Sequence, residues 1–115
     1  MNNIHTGNAQ IDGQLTRHWI VGHFIPDENI RHSDDVEIKW AVHKQGEKRE
    51  EWVTGEKRTA IAILISGKVV FEFRDKKYTL SKQGDYVMWG LGVDHRWEVA
   101  EDSVIITVRW PSISS

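Results

Sequence analysis

Cysteine is absent from the chain, which excludes disulfide staples, thiol nucleophiles and cysteine-ligated zinc together. No apolar run approaches the roughly 18 residues that a membrane-spanning helix needs. Positive charge is not in surplus either: 15 basic and 17 acidic side chains leave a formal charge of −2, with no general pull toward nucleic acid or anionic lipid. A phosphate-binding P-loop, a dinucleotide fingerprint and a G-x-S-x-G nucleophile element are all missing. The opening stretch, MNNIHTGNAQIDGQ, has neither a basic n-region nor an apolar h-region, so no signal peptide is read and a cytoplasmic location is expected.

What remains is a soluble globular composition of 115 residues, the size of one domain spanning 1–115. Six tryptophans are many for so short a chain; such rings supply core and interface mass, or line a ligand pocket.

Residues 1–16 show no sustained periodicity and are punctuated by Gly7, Asn8, Asp12 and Gly13, which reads as a loose N-terminal arm able to add to a sheet. The β-branched and aromatic run at 18–25 is a strand ended by Pro26. His18 and His23 have opposite parity on it and so cannot readily converge on one ion. Over 36–43, Val36, Ile38, Trp40 and Val42 alternate with Glu37, Lys39, Ala41 and His43, the pattern of a half-buried strand. Charges of both signs fill 44–58, an exposed turn leading into a short strand at 52–54. A continuous apolar run at 59–65, the Ser66-Gly67 turn and the strand at 68–74 are expected to form a hairpin. Further strands are expected at 78–80, 86–89, 95–99 and 104–110, with an acidic turn at Glu101-Asp102. Eight or so short strands and no convincing helix imply an all-β antiparallel sandwich or barrel.

The order of turns resembles the cupins, small jelly-roll barrels whose second motif reads G-x5-P-x-G-x2-H-x3-N. Gly84, Gly90 in the proline position, Gly92 and His95 follow that spacing, with Val99 in place of Asn. Gly46 and Gly67 resemble the glycines that open and close the family's first motif, so the resemblance covers residues 46–99. It implies a cupin-like double-stranded β-helix, and it also shows what has changed. Trp52 and Thr54 stand where two metal-binding histidines are usual, and Ala60 where a glutamate is usual. A site that activates water or holds a redox metal needs several convergent ligands. Here the resemblance leaves His95, with His43, Glu56 and Glu47 as the nearest recruits.

Three readings follow. The first is a binding module that needs no metal, with a pocket formed by His95, Trp52, Thr54, Ala60 and Trp97 and a polar cyclic compound as ligand. The second is a metal-dependent enzyme of isomerase or dioxygenase type, using a divalent transition metal on His95 and His43. The third is a structural or regulatory interaction domain, favoured if the barrel is filled by its own tryptophans. Acid–base catalysis by a carboxylate pair has only Glu72 and Glu98 as candidates. Arg96 and Arg109 are a candidate clamp for an anion, or stack on tryptophan and pair with surface acids. The row of Ile61, Ile63 and Ile65, opposite in parity to Ala60, Ala62 and Leu64, needs cover from the arm or a partner. With the family's habit, this leads us to expect a homodimer.

Overall fold

The computed structural model describes residues 3–114. Its elements are a short helix α1 (Ala9–Asp12) and the strands β1 (Trp19–Val21), β2 (Glu37–His43), β3 (Thr59–Phe73), β4 (Lys77–Leu80), β5 (Tyr86–Trp89) and β6 (His95–Trp110). The arm expected to be loose forms α1, capped by the Asn8 side chain on Ile11 N at 3.2 Å, and a 3-10 turn, Gly13–Leu15. It adds no strand among the described residues.

β3 and β6 organise the fold. They pair antiparallel along their whole lengths, from Thr59 opposite Trp110 to Phe73 opposite His95. The first half of β3 also pairs with β5, and the second half with β4, while β2 lies on the far side of β6 and β1 beyond it. Residues 46–53 complete an edge beside the start of β6: Gly46, Arg49 and Val53 donate backbone hydrogen bonds to Val99, Trp97 and His95, each at 2.9 Å. Two sheets that share two bent strands make the jelly-roll barrel.

The bend corrects the expected hairpin. Residues 59–65 and 68–74 do not pair with each other; both pair with β6, and the register shifts between Leu64 and Val69. Gly67 (φ +94°) sits where the two strands touch, and a Cβ there would lie 2.2 Å from the Asp102 carbonyl oxygen and from Ser103 Oγ. Ser103 Oγ accepts from Lys68 N at 2.9 Å and donates to the Glu101 carbonyl at 2.6 Å, substituting for the interrupted ladder. The expected acidic turn at Glu101-Asp102 is the other side of this corner, inside one strand. Positive φ serves a bulge as well as a turn, so the sequence signal is the same for both.

Alternation sets what faces the lumen. From β3 come Ala60, Ala62, Leu64, Val69, Phe71 and Phe73, which pack with Trp89 of β5 and with Val99 and Ile105 of β6. Fully burying one such side chain as large as Leu64 is worth about 1.5–3 kcal/mol over leaving it exposed. On β2, whose alternation by itself leaves open which parity faces inward, the polar parity is the lumenal one. Glu37 is completely buried and Ala41 nearly so, whereas Val42 on the apolar parity is 42% exposed.

Candidate functional site

A cavity of about 590 Å³ opens between the end of β2, both ends of β6 and the loop that precedes β3. Because β6 bends back on itself, the inward side chains at its two ends, His95 and Arg109, line the same space. Thr54 and Glu56 line it from the loop, Lys39 from β2 and Trp19 from β1. Gly92 fixes the adjoining corner: its N–H donates to the Glu56 carbonyl at 2.8 Å, and its φ of +74° favours glycine.

His95 is buried, with its ring 4.6 Å from that of Trp89. Its Nδ1 lies 3.0 Å from the Val93 carbonyl. A carbonyl only accepts, so Nδ1 carries the proton and Nε2 of the neutral ring keeps its lone pair. Burial is the chief cause that pushes the imidazole below its usual range; the Val93 bond and Glu56 oppose this, and Arg49 and Arg109 reinforce it.

Beneath the cavity lies Glu37. Arg109 Nε donates to its Oε1, Ser112 Oγ to its Oε2 at 2.9 Å, and Arg58 Nε and His23 Nδ1 stand 3.6 and 3.2 Å away. A carboxylate without solvent persists only when paired and hydrogen-bonded in this way. Arg58 is buried too, bonded through Nη1 to Glu56 Oε1 at 2.7 Å and through Nη2 to the Ile113 carbonyl. These two arginines are therefore held by the protein's own acids.

Lys39 and Arg49 are not. Among the described residues neither head group has a carboxylate within ion-pair distance. The Lys39 ammonium lies over Trp19, 5.5 Å from the ring centre, and the Arg109 guanidinium over the same ring at 4.1 Å. Burial first, then the charges of Arg109 and Arg49, hold Lys39 below the usual lysine range. The cavity rim thus carries positive charge that the chain does not neutralise.

The residues singled out from the sequence are dispersed. Thr54 and His95 meet in the cavity. Ala60 is in the core behind it, paired in register with Trp89 and Arg109. Trp52 does not line the cavity; it is sandwiched on the outer surface between the guanidinium groups of Arg74 (4.0 Å) and Arg96 (4.3 Å). Trp97 packs against the core and stacks on His43 at 4.8 Å. His43 itself pairs with Glu47 at 3.4 Å, so His43 and His95 are each engaged separately. The suggested clamp is split: Arg96 binds Glu72 at 2.9 Å on the outside, and Arg109 binds Glu37 within. Glu72 and Glu98 are likewise not the lumenal acids; those are Glu56, named above as a recruit beside His95, and Glu37, which the undecided parity of β2 left out.

A transition metal of the kind the fold often carries is a poor fit here. His95 is the single imidazole lining the cavity, Glu56 is tied to Arg58, and Lys39 and Arg109 repel a cation. No group of three or more His, Asp or Glu is arranged to hold a metal among the described residues.

No protein-family model matches the sequence, and no curated protein matches it. Solved structures do. KdgF from a Halomonas species aligns over 70% of this chain and 73% of its own, at a TM-score of 0.63 and 22% identity. A cupin superfamily protein from Desulfitobacterium hafniense DCB-2 aligns over 68% and 69%, at 0.60 and 20% identity. An RmlC-like cupin from Shewanella frigidimarina NCIMB 400 aligns over 68% of each chain, at 0.61 and 13% identity. Identities this low carry the architecture alone: the chain has the fold of these cupins, a jelly-roll barrel.

Proposed function

We propose that this chain is a cupin-fold binding module that takes a small molecule in the cavity beside His95 and needs no metal to do so. The observation that carries the reading is the cavity itself: about 590 Å³, with Thr54, His95 and several charged groups converging on it while aromatic residues fill the barrel behind. That is the size of a small-ligand site, with a lining more charged than most. Stacking on a ring has little support as the mode of recognition, because the indole face in the cavity belongs to Trp19 and is occupied by Arg109. Hydrogen bonds and charge are the better-supported means. Tryptophan fluorescence across a metabolite panel, in protein treated with chelator, tests the proposal: saturable quenching that EDTA leaves unchanged is expected, and quenching that needs added metal would overturn the metal-independent part.

A second copy of the chain is the protein partner this reading takes. The outer face of the first sheet carries two rows without a charge, Ile38–Val108–Ile61–Met88 and Trp40–Ile106–Ile63–Tyr86, in register across four strands. Met88 and Tyr86 remain 49% and 62% exposed. A contiguous apolar face of this kind marks an interaction surface, and its evenness suits pairing with itself.

A further inference from the structure

We infer that the ligand of this cavity is a small hydroxylated anion, its negative group held by Lys39, Arg49 and Arg109 and a neighbouring hydroxyl donating to Nε2 of His95. The inference rests on the binding reading above and specifies its chemistry.

Charge gives the first half. Arg58 and Arg109 are matched within the protein by Glu37 and Glu56, but Lys39 and Arg49 have no carboxylate partner among the described residues. Lys39 is half-buried and stands between other cations, an arrangement that costs free energy in the empty protein. A bound anion removes that cost, and at half-buried Lys39 the desolvated setting makes the contact stronger than on an open surface. The geometry is prepared in advance: the Lys39 ammonium and the Arg109 guanidinium both lie over the Trp19 ring. Arg109 is further fixed from below by Glu37.

His95 gives the second half. Its Nδ1–H is committed to the Val93 carbonyl, so the neutral ring offers an acceptor and no donor. An acceptor repels a carboxylate oxygen but receives a hydroxyl. Lys39, Arg49, Arg109 and His95 line one cavity of about 590 Å³, so acceptor and cations can serve one small molecule. Carboxylate and phosphate share the anion chemistry, and the experiment separates them.

Isothermal titration calorimetry with malate, succinate, inorganic phosphate and the neutral polyol erythritol tests the inference on wild type and on Arg49→Gln, Lys39→Met and His95→Phe. Arg49 is exposed, so its replacement leaves folding intact even if a buried variant does not. Malate is expected to bind more tightly than succinate, to weaken with added salt, and to lose at least about tenfold in affinity in Arg49→Gln and Lys39→Met. The advantage of malate over succinate is expected to vanish in His95→Phe. Phosphate binding with the same sensitivity to Arg49 and Lys39 supports the anion site and assigns it to phosphate. Erythritol binding as well as malate, unaffected by Arg49→Gln, overturns the anion while the cavity still binds. Heat from none of the four also overturns it, and the metabolite panel then decides separately whether the cavity binds anything.

Discussion

Glu37 of β2 and Arg109 of β6 stand opposite each other across the sheet and are joined by a hydrogen bond from Arg109 Nε to a carboxylate with no exposure to solvent. The pair ties the floor of the cavity to its wall. Removing the acid strips a desolvated network of its centre: Glu37→Ala is expected to cost about 3–5 kcal/mol, because half-buried Arg109 loses its closest carboxylate and buried Arg58 is left with Glu56 alone. Urea denaturation measures this. A cost below about 1 kcal/mol, the range of an exposed pair, would contradict the described burial.

Two glycines separate close approach from backbone preference. Gly67 and Gly84 have φ of +94° and +91°, but a Cβ meets Asp102 and Ser103 at the first and nothing within 4 Å at the second. Gly84→Ala is expected to cost about 1–2 kcal/mol through the left-handed backbone alone. Gly67→Ala adds a collision and is expected to cost clearly more. Equal costs would mean that the β3–β6 corner is looser than described.

Stability should fall as the solution becomes mildly acidic. Burial holds both His43 and His95 below the usual imidazole range; Lys39 reinforces this at His43, where Glu47 opposes it. Each ring therefore binds fewer protons in the folded chain than in the unfolded one. The stabilisation is complete above the unfolded value near 6.5 and is lost as pH drops from there toward the lowered folded value. The urea midpoint is expected to be lower at about pH 5.5 than at about pH 7.5, and the difference should shrink in His43→Gln, which has one fewer buried ring to protonate. A midpoint that rises on acidification would contradict the sign.

The apolar outer face makes a claim about assembly. Analytical ultracentrifugation at micromolar concentration is expected to show a dimer, and Met88→Lys, at a position 49% exposed, is expected to give a folded monomer. A wild-type monomer would remove the partner.

Much of the fold was legible because the turn glycines and the run of short strands are local signals. Gly84, Gly92 and His95 kept their spacing, and the barrel followed. The bend at Gly67 was not legible, since a left-handed glycine between two apolar runs spells a hairpin and a shared corner alike. On β2 the alternation is legible, but which parity faces inward is not: the apolar parity of Ile38, Trp40 and Val42 faces outward, and the polar parity of Glu37 and Lys39 faces the lumen. That open choice concealed the charged half of the cavity. Its only trace was that the polar side of β2 includes small Ala41 while β6 ends in Arg109, a weak hint that charges on these neighbouring strands compensate each other. The place of Trp52 is not legible either, because its partners come from far along the chain, Arg74 from the bend after β3 and Arg96 from β6.

The most direct test of the central claim, that the space beside His95 is the binding site, is an amide chemical-shift titration with malate. Resonances of Gly55, Glu56, His95 and Arg109, which share the cavity, are expected to move together and saturate, while those of Thr79, Gly84 and Val87, which line a different groove, stay in place. Shifts centred instead on Glu72 and Arg96 in the outer groove, or no shifts at millimolar ligand, would contradict it.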